Sequence, residues 1–220
     1  MRVLRSRGIV AIAKPRCGST SVRRMLDPFI DVAAGDLAVD VAGEQPPFHP
    51  HISAPYLREI LAARFDDADR LEYFITVRHP HDMLWSYYQF FRPDSQCRYN
   101  FQAGWSASDP IDFETWVCEG HLDANPNLLR LGPDWISPTD LSPLTLEARA
   151  RRRDGSLAVD HIFPIEEMGQ FTAWLSNKLG EDVSPKHVNQ SNAADRPRLG
   201  EAAQTRIRQV FAEESEIYGL

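Results

Sequence analysis

The chain has 220 residues, enough for one domain with a sizeable core, and its 43% hydrophobic and 25% charged content is ordinary for a globular protein. A net charge of −7 argues against a general binder of nucleic acid or membrane surface, because the long-range field repels polyanions; a local basic site for a small anion stays open. Three cysteines, Cys17, Cys97 and Cys118, show no paired spacing, which fits reduced thiols in a cytoplasm better than a disulfide framework.

The N-terminal MRVLRSR places arginines ahead of an apolar stretch, as signal peptides do. Ile9–Ala13 is too short for that role and Lys14 ends it, so the pattern predicts a buried strand over Gly8–Ala13. A short helix follows over Ser19–Leu26, stopped by Asp27-Pro28, and residues 27–50 read as irregular, ending in QPPFHPH. Ser53–Arg64 carries an N-cap serine, a first-turn proline and helical apolar spacing. LEYFITV, residues 71–77, is a second buried strand and runs into a helix over 81–91. Residues 92–109 read as loop, and Asp109-Pro110 opens a helix to about Gly120. Residues 121–156 read as loops with room for one short helix, and their basic run RARRRD as a solvated face. LAVDHIF (157–163) is a third strand. Glu166–Leu179 is helical with Gly180 as C-cap, SPKHVNQSNAADRPR is a polar loop, and Gly200–Tyr218 reads as one amphipathic helix. Strands alternating with helices predict parallel βαβ units in a single domain over 1–220, and no run approaches transmembrane length.

The chemistry concentrates at two strand ends. In AKPRCGSTS a strand meets a tight turn and a helix start, which presents backbone N–H groups and the positive helix end to an anion. Gly18 lets the backbone come close, Ser19, Thr20 and Ser21 add hydroxyls, and Lys14 and Arg16 add charge. The loop is not the GxxxxGK[ST] phosphate loop, because Lys14 precedes Gly18. The second constellation, VRHPHDMLWSYY, sets Arg78 eight residues before Ser86, and arginine offers a planar fork for phosphate. Two anion sites on two strand ends suggest a ligand with two separated phosphate groups. His49 and His51, just before a helix, have a side chain suited to general-base work near neutrality. Histidines two apart recur at 79–81, a spacing that can bind zinc, but no Asp, Glu or Cys completes a site and no metal is expected. Trp85, Tyr87, Tyr88, Phe90 and Phe91 read mostly as helix core by their periodicity, with room for one or two to line a pocket.

Taken together, these motifs resemble those of sulfotransferases that use 3′-phosphoadenosine 5′-phosphosulfate (PAPS). AKPRCGSTSVRRML is similar to their 5′-phosphosulfate loop and FITVRHPHDMLWSYYQFF to their 3′-phosphate motif, with Met83 where an arginine is common. The likeness covers 8–26 and 71–91 and extends weakly to 113–117, 160–168 and 186–192. It implies a P-loop-like three-layer α/β fold with a central parallel sheet flanked by helices. It also implies that Lys14 contacts the bridging oxygen of the phosphosulfate. The 5′-phosphate would be cradled by the loop from Arg16 and Cys17 through Gly18, Ser19, Thr20 and Ser21, and the 3′-phosphate held by Arg78 and Ser86. FHPHIS is similar to an HxH segment of 2-O-sulfotransferases, which makes His51 the expected base with His49 assisting. The acceptor is then a hydroxyl-bearing molecule such as a saccharide, and the second product is adenosine 3′,5′-bisphosphate. The late loop with Lys186, Asn189, Arg196 and Arg198 lacks the RKGxxG pattern of the cytosolic aryl enzymes. The alternatives are a P-loop kinase using ATP and a non-catalytic nucleotide- or glycan-binding relative.

Overall fold

The computed structural model describes residues 1–32, 51–91, 111–119, 141–184 and 196–220. His49, Cys97, Lys186 and Asn189 lie outside them. Among the described residues four strands form one mixed sheet: β1 (Arg2–Leu4), β2 (Ile9–Ile12), β3 (Glu72–Val77) and β4 (His161–Pro164), in that spatial order. β1 runs antiparallel to β2 with Val3 opposite Val10, whereas β2–β3 and β3–β4 are parallel, with Ala11 opposite Phe74 and Ile75 opposite Ile162. The expected all-parallel sheet is therefore corrected to a mixed one. A 3-10 turn over Arg5–Arg7, closed by Gly8 at φ 67°, reverses the chain and folds the N-terminal residues back as the extra edge strand.

β2 is buried at every residue and β3 at all but its first, as continuous apolar strands require when both faces are covered. The faces divide by alternation. Val10, Ile12, Tyr73 and Ile75 pack with Leu57 and Leu61 of α2 (Ala54–Arg64), while Ile9, Ala11 and Phe74 pack with Val22 and Met25 of α1 (Ser19–Leu26). Helix α5 (Leu146–Ala150) joins the first face, and α6 (Met168–Leu179) joins the second through Phe171 and Leu175. Each of these buried aliphatic side chains contributes about 1.5–3 kcal/mol by leaving water. A third cluster links α3 (Pro80–Phe91), α4 (Phe113–Glu119) and α7 (Glu201–Val210) through Met83, Tyr87, Trp116 and Ile207, and includes Cys17.

Two expectations change in detail. The third strand is short, because Asp160 turns aside to bind the Tyr73 backbone N–H with its carboxylate, leaving only His161–Pro164 in register. The C-terminal helix is two: α7 ends at Val210, Phe211 leaves helical geometry at φ −107°, ψ 47°, and α8 (Ala212–Tyr218) continues. Among the described residues no helix is long and apolar enough to cross a membrane.

Candidate functional site

Because β2, β3 and β4 are parallel, their carboxyl ends lie along one edge of the sheet, where open α/β sheets bind ligands. Three segments emerge there: the loop 13–18, residues 78–80, and the 3-10 turn Ile165–Glu167.

The loop is wound tightly. Arg16 sits at φ 59°, a conformation non-glycine residues seldom adopt, and Gly18 at φ 72°. Thr76 of β3 donates its hydroxyl proton to the Cys17 carbonyl at 2.6 Å, tying the loop to the neighbouring strand. Gly18 is the N-cap of α1 and offers no capping side chain, and no acidic residue occupies the first turn. The positive end of the helix is thus left uncompensated by a carboxylate of its own. Arg23 folds back onto the same turn, donating to the Ser19 carbonyl at 3.3 Å and to the Thr20 hydroxyl at 3.4 Å. Ser19 and Thr20 are half-buried and Ser21 is buried. Cys17 is wholly buried and its thiol is pushed up by that burial, so it stays protonated and serves as packing.

The two sequence motifs meet. Arg16 donates from Nε to the Ser86 hydroxyl at 3.1 Å and lays its guanidinium over the Phe90 ring at 4.5 Å. Ser86 points in from α3 and is buried, and Arg78, at the end of β3, is half-buried. Arg78 lies near enough to bias the Cys17 thiol and the Tyr218 phenol.

His51 is anchored at both ends. Its Nδ1 lies 2.7 Å from the Ala13 carbonyl oxygen, which can only accept, so the neutral ring carries its proton on Nδ1 and its lone pair on Nε2. Its own carbonyl accepts from Arg149 Nη1 at 2.7 Å, while Arg149 Nη2 donates to the Pro143 carbonyl at 2.6 Å. Arg149 is completely buried, so part of the RARRRD run is a strut inside the protein and not the solvated face expected of it. Burial lowers its pKa to about 10, which leaves it cationic at neutral pH.

Lys14 faces inward. It is 0% exposed, its Nζ lies 3.1 Å from Glu214 Oε1 of α8, and Cys17 Sγ is 3.7 Å away. The Phe211 ring centroid lies 5.8 Å from Nζ. Glu214, 1% exposed, is a residue the sequence reading missed. Its signal was its place on the apolar stripe Phe211–Glu214–Tyr218, where an unpaired acid would be costly. Tyr218 closes the same helix against the site, donating to Glu166 Oε2 and setting its ring edge-on to His79 at 5.4 Å.

His79 belongs to the 78–80 segment, where its backbone N–H donates to Glu166 Oε1, and His81 lies in the first turn of α3. They line a concavity of about 480 Å³ with Arg196, Arg198, Leu199 and Arg208. Arg196 is ion-paired to Asp82. Burial lowers both imidazoles, His81 to about 4, and they are neutral at pH 7. Among the described residues no group of three His, Cys, Asp or Glu could hold a metal ion. The site thus gathers a helix-start loop, Arg16, Ser86, Arg78 and an oriented imidazole at one sheet edge; in comparisons with known proteins, no family model and no curated protein matches the chain.

Proposed function

We propose that the chain is a sulfotransferase that moves a sulfuryl group from PAPS to an acceptor hydroxyl, on a P-loop-like α/β scaffold with helices on both faces of its sheet. The observation that carries this reading is the bond from Arg16 to Ser86, which draws the strand-end loop and the Arg78–Ser86 motif into one site although 70 residues separate them. A nucleotide with phosphates at both its 3′ and 5′ positions suits two such adjacent cationic cradles. The loop backbone and the α1 N-terminus would take the 5′-phosphate, and Arg78 with Ser86 the 3′-phosphate.

In this reaction the acceptor oxygen attacks sulfur in line as its proton passes to His51 Nε2. The new O–S bond forms, the S–O bond to the 5′-phosphate breaks, and the electron pair stays on the phosphate oxygen. Hydrogen bonding of Nδ1 to Ala13 keeps Nε2 basic, as this step requires. Lys14 would stabilise the leaving oxygen, which fits a sulfuryl transfer that needs no metal-bridged phosphate. The buried Lys14–Glu214 pair favours a second reading, in which the chain binds the nucleotide and does not turn it over.

Isothermal calorimetry with adenosine 3′,5′-bisphosphate, AMP and ATP tests the ligand class. The bisphosphate is expected to bind more than tenfold tighter than AMP, consistent with a charge-assisted arginine contact of about 1.5–3 kcal/mol, and to lose that advantage in Arg78→Ala. Equal affinity for AMP would overturn the reading.

A further inference from the structure

Lys14 and Glu214 form an ion pair that water does not reach, with side chains 0% and 1% exposed and 3.1 Å between Nζ and Oε1. Taking both charges out of water costs several kcal/mol per ion, repaid only when the geometry is good and the remaining lone pairs are satisfied. Here they are not all satisfied. Glu214 Oε1 also accepts the Leu146 backbone N–H at 2.7 Å, but Oε2 is buried with no hydrogen-bond partner among the described residues. The pair is therefore held at less than its full strength, by a helix with a break beside it: Phe211, at φ −107° and ψ 47°, separates α8 from α7. Beyond Glu214 the same helix is fastened at Tyr218 to Glu166, on the 3-10 turn at the sheet edge.

From this geometry we infer that Glu214 is a positioning residue that holds Lys14 in a resting place, where its carboxylate stands in for an oxyanion at the loop. The inference rests on the reading of loop 13–18 as an oxyanion site. One ammonium cannot serve the Glu214 carboxylate and a phosphate at the α1 N-terminus equally. An arriving oxyanion draws Lys14 off Glu214, and a Glu214 without its cation is left with a single backbone N–H in a dry setting, which loosens α8. By linkage, any force that holds α8 down weakens the oxyanion, and the oxyanion releases α8 by the same free energy.

Amine labelling of the intact chain with acetic anhydride, read by mass spectrometry with Lys178 as internal standard, tests this directly. Lys178 is part-exposed, so Lys14 is expected to label far more slowly in the parent protein. Glu214→Gln keeps the shape and the acceptor for Leu146, and is expected to raise Lys14 labelling several-fold. Glu213→Gln, at the neighbouring acid that pairs with Arg151, leaves it unchanged. Glu214→Gln is also expected to bind adenosine 3′,5′-bisphosphate about tenfold tighter, within the usual range of coupling between sites. Unchanged Lys14 labelling in a Glu214→Gln protein with native circular dichroism overturns the inference, as does an unchanged bisphosphate affinity. If neither protein binds the bisphosphate, the nucleotide reading falls and labelling alone decides the role of Glu214. Should Glu214→Gln not fold, Glu214→Asp, one methylene shorter, must show the same rise in labelling, and unchanged labelling there overturns the inference.

Discussion

At the scale of single residues, Gly18 carries the most constraint for its size. Its φ of 72° is one that alanine adopts only with strain, and a Cβ placed there would lie 3.2 Å from Ile165 Cγ2. Gly18→Ala is therefore expected to destabilise the chain by about 1–2 kcal/mol, measurable as a lower urea midpoint with unchanged slope. An unchanged midpoint would mean that the loop relaxes freely and is not the tight cradle described. Arg16 is the contrasting case. It accepts the same left-handed backbone without being glycine, and the Ser86 and Phe90 contacts offset that cost. The importance of Gly18 was legible in GSTS, whereas the partner of Arg16 was not, because a bond across 70 residues leaves no local trace.

At the scale of elements, α5 and α8 act through what they hold. Helix α5 is short, but its Arg149 spans from the Pro143 carbonyl to the His51 carbonyl and so braces the base candidate against the interior. Arg149→Ala would leave the buried Pro143 carbonyl and the part-buried His51 carbonyl without this donor and open a cavity. The expected loss is about 3 kcal/mol or more, read from equilibrium unfolding. A loss below about 1 kcal/mol would show that water replaces the guanidinium and that the strut is dispensable. Composition alone pointed the other way, since an arginine-rich run is ordinarily solvated. What reversed it for Arg149 was the placement of α5 over the α2 face of the sheet, with Leu146 and Ala150 buried on either side. The break at Phe211 was equally hidden: EAAQTRIRQVFAEESEIY has uninterrupted helical periodicity, yet the buried Phe211 leaves helical geometry between the two helices.

At the scale of the whole molecule, burial of ionisable groups sets how stability responds to pH. His81 takes up a proton near 6.5 in the unfolded chain but only at about 4 in the folded one, and His79 is shifted the same way, in both cases first because burial disfavours the charged ring. The unfolded state thus binds more protons across that window, and stability falls as pH is lowered from 6.5 towards 4. Tyr73 acts at the other limit. Its phenol is pushed up to about 12 by burial, so stability also falls as pH rises above 10. Thermal melts across this range should show both limbs, and His81→Gln should flatten the acid one; an identical acid limb in that variant would remove His81 as its cause. By itself, the sequence determined the α/β class, the strand-end loop and the helix that follows it, because periodicity, glycine and caps act over a few residues. Only the tertiary structure decided that β1 turns the sheet mixed, that Arg149 is buried, and that Lys14 rests on Glu214. Each of these depends on which distant segments share the interior, where a charge must find a partner far along the chain or not be buried at all.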